Sequence, residues 1–397
     1  MKRYASIFAC TVLGWLGSLS AQDLTIINAR IVDANRVANG GVIERGSIVM
    51  RAGKIVSVQA GAPSGSAGKT IDAKGMTAMP GFIDAHRHIN TGPNEKAQMQ
   101  ALLEAGYTTI LSGGGPAEGN ITLRDHIDKG VINGPRIIPS GAVRLNGTPE
   151  AARAEIRKMA EMGVKFTGEI LLTPIPGPSE KEIEILKAIV DEAKKVGVMV
   201  QVHAVSSKAM VAAVDAGVPL LVHLPNKDWV SKEDAKKVAA AGVKVLGTVG
   251  FGSPVFGVFA NDNKARFRDG KAWPEGIIDG VRLGEEAGYM PVNARTIWDA
   301  GAILGYCTDT NYDPTAGLDH ELKILNVMFS TQDLIKMMGP NTASYIQMGD
   351  QLGALDAGKL ADVILLDGDP REGYWNWLKT RVVVKGGTVV VDKRDKR

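Results

Sequence analysis

Cysteine is nearly absent: the 397 residues contain two, Cys10 and Cys307. Cys10 lies in an apolar stretch near the N-terminus and would leave with it if that stretch is cleaved. Cys307 would then have no intramolecular partner, which excludes a disulfide scaffold and assigns stability to a packed core. The chain also lacks a strong charge of either sign. Lys and Arg number 46 against 43 Asp and Glu, and the net charge is +3. Without a concentrated basic face, nucleic acid is excluded as an expected partner. Long apolar runs are missing too, apart from Tyr4 to Leu16, which is short and is followed by Gly17 and Ser18. With Met1-Lys2-Arg3 before it and Ser18-Leu19-Ser20-Ala21-Gln22 after it, the segment has the three-part form of a secretory signal peptide,. Residues 1–21 are therefore expected to be removed, leaving no stable membrane anchor and a periplasmic or secreted protein.

What is present is a change of period along the chain. Short β-type runs separated by turns occupy residues 22–77, among them Leu24 to Ile27, Gly46 to Arg51 and Lys54 to Val58,. Similar runs return in 350–397, from Ala361 to Asp367, Val382 to Lys385 and Gly387 to Asp392. The two ends are expected to join in one small β-sandwich. Between them, in 78–349, apolar runs alternate with amphipathic stretches of helical period, the pattern of repeated βα units. Strands are expected near Ala78 to Ile83, Thr108 to Leu111, Arg136 to Pro139, Val164 to Leu171, Val198 to His203, Leu220 to His223, Val243 to Val249 and Ala302 to Cys307. Eight such units predict an α/β fold, a (β/α)8 TIM barrel, whose chemistry belongs at the C-terminal ends of the strands.

Four of the six histidines fall at those ends. His86 and His88 close the first strand at positions i and i+2. A strand projects such residues to one side, so both can reach one metal. The stretch Pro80-Gly81-Phe82-Ile83-Asp84-Ala85-His86-Arg87-His88 resembles the first-strand signature of the amidohydrolase superfamily. His203 closing the fifth strand, Ala213 to His223 leading into the sixth, Leu304 to Asp309 on the eighth and Leu352 to Asp362 returning to the sandwich are similar to the same family. The likeness spans about Leu24 to Asp392 and is nearest, more loosely, to imidazolonepropionase-like and enamidase-like hydrolases.

That resemblance implies two divalent metal ions, with zinc the expected identity. His86, His88 and Asp309 would hold one and His203 and His223 the other,. Many relatives bridge their metals with a carboxylated lysine on the fourth strand. Here Lys165 shares a face with Glu169 but lies about 13 Å deeper along the strand, so Glu169 is the expected bridge,. A water shared by two such ions becomes a nucleophile near neutral pH, and Asp309 is the expected general base. The substrate is a small molecule with an amide, cyclic amide or dipeptide C–N bond; lactone hydrolysis, ring deamination and an inactive metal-binding barrel are the alternatives. Deaminases of the family commonly carry a glutamate where this chain has Ser206, which argues against that reaction. Arg144 and His320 are candidate substrate contacts, with surface roles as the plainer reading, and His126 is expected to be solvated. The aromatic-rich segment Gly250 to Trp273 reads equally as a lid or a packing loop, and self-association is left open,.

Overall fold

The computed structural model describes residues 23–65, 68–250, 281–310 and 313–395. The expected signal peptide and nearly all of the Gly250–Trp273 segment lie outside the described residues.

Both chain ends contribute to one hydrogen-bonded sheet of eight strands, in the order 388–392, 380–385, 363–366, 77–80, 24–31, 43–51, 54–60, with 69–72 parallel to 24–31. Alternation decides its faces: Leu24, Ile26, Ile48, Met50, Val363, Leu365, Val382 and Val384 share one apolar cluster,. Thr77–Pro80 joins the two ends, pairing antiparallel with Val363–Leu366 and parallel with Leu24–Ile31.

The first strand of the sequence reading, Ala78 to Ile83, therefore divides. Its front half belongs to the end sheet, and the barrel strand is Phe82–Arg87. Gly81 is the reason for the break. Its N–H bonds the Asp362 carbonyl at 2.9 Å, and a Cβ there would lie 2.3 Å from the Thr108 hydroxyl oxygen. Only a glycine lets the chain cross from one sheet to the other so close to the neighbouring strand.

The central region is a barrel-type α/β fold. Its parallel strands run in two ladders: Phe82–Arg87, Tyr107–Ser112 and Arg136–Ile138, then Ser140–Gly141, Phe166–Leu171, Met199–His203, Leu220–Val222, Lys244–Gly247 and Ile303–Tyr306. The ladders meet at Pro139, which has no N–H to donate: the expected third strand, Arg136 to Pro139, ends at Ile138, and Ser140–Gly141 opens the second ladder,. On the other side Ile303–Tyr306 lies against Phe82–Arg87: Asp84 accepts the hydroxyl of Thr308, two residues beyond Tyr306, at 2.6 Å, and the Tyr306 hydroxyl meets that of Tyr107, on the strand next to Phe82–Arg87, at 2.7 Å.

The helices between strands follow local signals. In Glu180–Val196, Ser179 and Glu182 form a reciprocal N-terminal cap, Gly197 ends the helix with φ 73°, and Ile185, Ile189 and Ala193 are buried,. Thr148 caps Pro149–Glu161, with Pro149 in the first turn where its missing N–H costs nothing,. A further helix is described over Val281–Asp299.

Candidate metal centre

Every strand end that carries a candidate ligand opens onto the same point. His86 leaves Phe82–Arg87 fully buried, and His88 follows it at the rim with 46% of its side chain exposed. Their rings stand perpendicular with centroids 5.3 Å apart. Glu169 comes from Phe166–Leu171, His203 from the end of Met199–His203, His223 just after Leu220–Val222, and Asp309 three residues beyond Ile303–Tyr306.

Glu169 lies among them. Its Oε2 is 2.7 Å from His203 Nδ1 and 3.0 Å from His223 Nε2, while Oε1 is 3.7 Å from His88 Nε2. Burial alone would raise its pKa, but the hydrogen bonds from His203 and His223 prevail and hold it far below the usual carboxylate range,. Asp309 Oδ1 is 3.0 Å from His88 Nε2 and 3.4 Å from His86 Nε2. There too burial is outweighed by the histidines, and the carboxyl stays ionised,. The hydrogen bond with Asp309 raises the pKa of His88, while burial lowers that of His223.

Backbone packing fixes these positions. The Glu169 N–H bonds the Gly113 carbonyl at 3.2 Å, tying the end of one strand to a loop two strands away. Gly113 can approach because it has no side chain: a Cβ would lie 2.8 Å from His86 Nε2. Gly113-Gly114-Gly115 thus packs its backbone closely against a histidine and Gly168. His223 and Asp309 both adopt positive φ, 66° and 53°, turning their side chains in from the strand ends,.

The donor set fits a divalent ion. Both ring nitrogens of His86 and Oδ1 of Asp309 are buried and make no hydrogen bond among the described residues. Buried polar atoms are seldom left so unless something else satisfies them. Ligand atoms of His86, His88 and Asp309 lie within 4.8 Å of one another, and so do those of His86, Glu169 and His223. His203 belongs to neither triad and meets the centre at Glu169. Imidazole and carboxylate donors suit zinc and similar ions.

The remaining candidates are placed differently. Arg144 is exposed after Ser140–Gly141 and makes no described contact with the cluster, and His320 is half-buried in helix Pro314–Met328. Lys165 is exposed, outside its strand. His126 corrects the reading of a solvated residue: its Nδ1 meets Glu95 Oε1 at 2.6 Å. Ser206 caps helix Ser207–Asp215 and donates to the Pro174 carbonyl at 2.8 Å. Two participants were missed. Thr248 meets His223 Nδ1 at 2.6 Å, leaving Nε2 for the centre, and buried Glu321 accepts the N–H groups of Val249 and Gly250,. Neither has a motif, although a glutamate in an apolar helix face is itself a signal.

The chain belongs to the amidohydrolase family, whose model matches residues 77–390. It is a metal-dependent hydrolase acting on carbon–nitrogen bonds. It is 24% identical to an imidazolonepropionase from Caldanaerobacter subterraneus subsp. tengcongensis over 88% of this chain and 91% of that protein. An L-hydantoinase from Paenarthrobacter aurescens is 23% identical over 87% of this chain and 86% of that protein. The crystal structure of a Xaa-Pro dipeptidase with bound methionine in its active site shares the fold, with a TM-score of 0.76, 21% identity and coverage of 93% of this chain and all of that one.

Proposed function

We propose that the protein is a binuclear hydrolase that cleaves amide, cyclic amide or dipeptide C–N bonds. In this reading His86, His88 and Asp309 would hold one zinc ion, His203 and His223 would hold the other, and Glu169 would be the ligand shared by both. The observation that carries it is the placement of Glu169, with Oε2 against His203 and His223 and Oε1 toward His88. The names imidazolonepropionase and hydantoinase among its relatives support the C–N substrate class.

Bound divalent ions would supply Lewis acidity toward the carbonyl oxygen and an acidified water. Asp309 takes the proton of the attacking water and passes it to the leaving nitrogen. His88, the most exposed of the six, marks the side from which substrate enters, beside a cavity of about 310 Å³ lined by Ile89, Leu102 and Pro314. Arg144 and His320 touch substrate rather than metal in this reading. The same proposal includes a closed (β/α)8 barrel, a terminal β-sandwich, and export after loss of residues 1–21; N-terminal sequencing of the exported protein tests the last.

Metal content by plasma mass spectrometry, on protein purified without chelator and beside Glu169→Ala, tests the centre. About two equivalents falling to one or fewer is the expected result for a two-metal site. About one equivalent, unchanged by the substitution, sinks the bridging role. A substrate screen of amides against lactones then separates the two hydrolytic chemistries.

A further inference from the structure

Asp309 reaches the centre with φ 53°, in the left-handed region. A residue with a side chain persists there only where its surroundings over-determine the backbone. One constraint is its own N–H, which bonds the His86 carbonyl at 2.9 Å. The others come from the strand that carries His86 and His88. Asp84 Oδ1 accepts the Thr308 N–H at 3.1 Å, and Asp84 Oδ2 accepts the Thr308 hydroxyl at 2.6 Å. Arg87 Nη1 donates to the Thr308 hydroxyl at 3.2 Å and to the Thr310 hydroxyl at 2.9 Å, and Thr310 in turn donates to Thr308 at 3.1 Å. Thr308 and Thr310 are the residues on either side of Asp309.

Arg87 sits between the two histidines in sequence, so the alternation of a strand sends it to the opposite face. It is 3% exposed there. A buried guanidinium is costly unless its donors are occupied. Two of those donor positions go to the hydroxyls flanking a candidate ligand, and the nearest oxygen of Asp84 is 3.7 Å away. Helix Pro314–Met328 closes over the network at Gly317, where a Cβ would stand 3.1 Å from the Thr310 hydroxyl oxygen.

We propose that Arg87 is a positioning residue: together with Asp84, it fastens Thr308-Asp309-Thr310 to the His86–His88 strand and so sets where the Asp309 carboxylate stands relative to both histidines. This rests on reading His86, His88 and Asp309 as ligands of one ion. A rigid link of this kind holds a ligand in place without touching the metal, and loss of such support commonly weakens metal affinity by about 10- to 100-fold.

The test uses the full-length protein loaded with Co²⁺, comparing wild type, Arg87→Met, Arg87→Lys and Thr310→Val. The readouts are the visible absorption spectrum, retention of cobalt against a chelator, and melting of the ion-free protein. Arg87→Met is expected to alter the spectrum and weaken retention by about 10- to 100-fold. Thr310→Val should move both readouts the same way by less, and Arg87→Lys, which keeps the charge and donors on a different head group, should recover part of the loss. Should Arg87→Met fail to fold, Thr310→Val decides: an altered spectrum supports the link and an unaltered one overturns it. Wild-type spectrum and retention in a folded Arg87→Met overturn the link alone. A wild-type protein that holds no cobalt overturns the ligand reading and the link with it.

Discussion

His86 and His88 reach the centre from one strand, two residues apart, and meet an aspartate from an adjacent strand that shares no ladder with theirs, whereas His203 and His223 arrive from strands paired in one ladder and meet Glu169 directly. The first group depends on a buried polar network, Asp84, Arg87, Thr308 and Thr310, to keep strands without a shared ladder in register. The second has ladder hydrogen bonds beneath it, from Gln201↔Leu220 to His203↔Val222, and requires only Thr248 to orient one imidazole. Side-chain networks therefore carry more of the positioning where backbone pairing is missing.

The sharpest way to break that comparison is Asp309→Asn. It removes the base but leaves the His203–His223 group intact, so kcat should fall by about 10²- to 10⁴-fold with KM little changed. Steady-state kinetics beside metal analysis checks it, and a kcat within a few-fold of wild type would remove Asp309 as base. Next comes Thr248→Val, which leaves His223 Nδ1 without its described partner. Metal retention should weaken by about 10- to 100-fold, measured by chelator competition. No change would mean that the ladder alone orients the ring.

Gly113→Ala sharpens the comparison from the other side. The added methyl meets His86 Nε2 at 2.8 Å, so either the loop or the imidazole must shift. The ion-free protein should lose about 1–3 kcal/mol in denaturant unfolding, as for overpacked interiors. The smallest effect is expected far from both groups, at Asp369 in the segment after Val363–Leu366. Burial would raise this carboxyl, but hydrogen bonds from Arg371 prevail and hold it below its ordinary value. A depressed carboxylate stabilises the fold above its unfolded pKa of about 3.9, and that contribution is lost as pH falls through the lower folded value. Asp369→Asn should therefore melt with a shallower dependence on acid pH than wild type. Equal dependence would mean that the ion pair contributes nothing.

Much of this architecture was legible in local pattern. The strands from Tyr107 to Tyr306 fall within a few residues of the apolar runs that predicted them, because a strand covered by helices must be apolar along its length,. His86, His88, Glu169, His203, His223 and Asp309 were singled out by their places at the ends of barrel strands together with the family resemblance, and the structure brings all six together,. Pattern was weaker at junctions. An apolar run from Ala78 to Ile83 looks continuous, yet Gly81 divides it between two sheets, since period alone does not say which neighbour a strand will pair with,. His126 looked solvated between two aspartates, and its partner Glu95 lies on another helix.

The sequence by itself determined the order of the elements, the strand ends at which the candidate donors stand and the glycines that let backbone pass close to backbone, because each depends on residues within one strand or turn. Only the tertiary structure decided that His203 reaches the centre through Glu169, that Thr248 takes one nitrogen of His223, and that Arg87 turns away from its flanking histidines to hold the residues around Asp309. Those contacts join strands far apart in the chain, and which hydroxyl or carboxylate ends beside which ring follows from how the whole sheet curves, which no local period records.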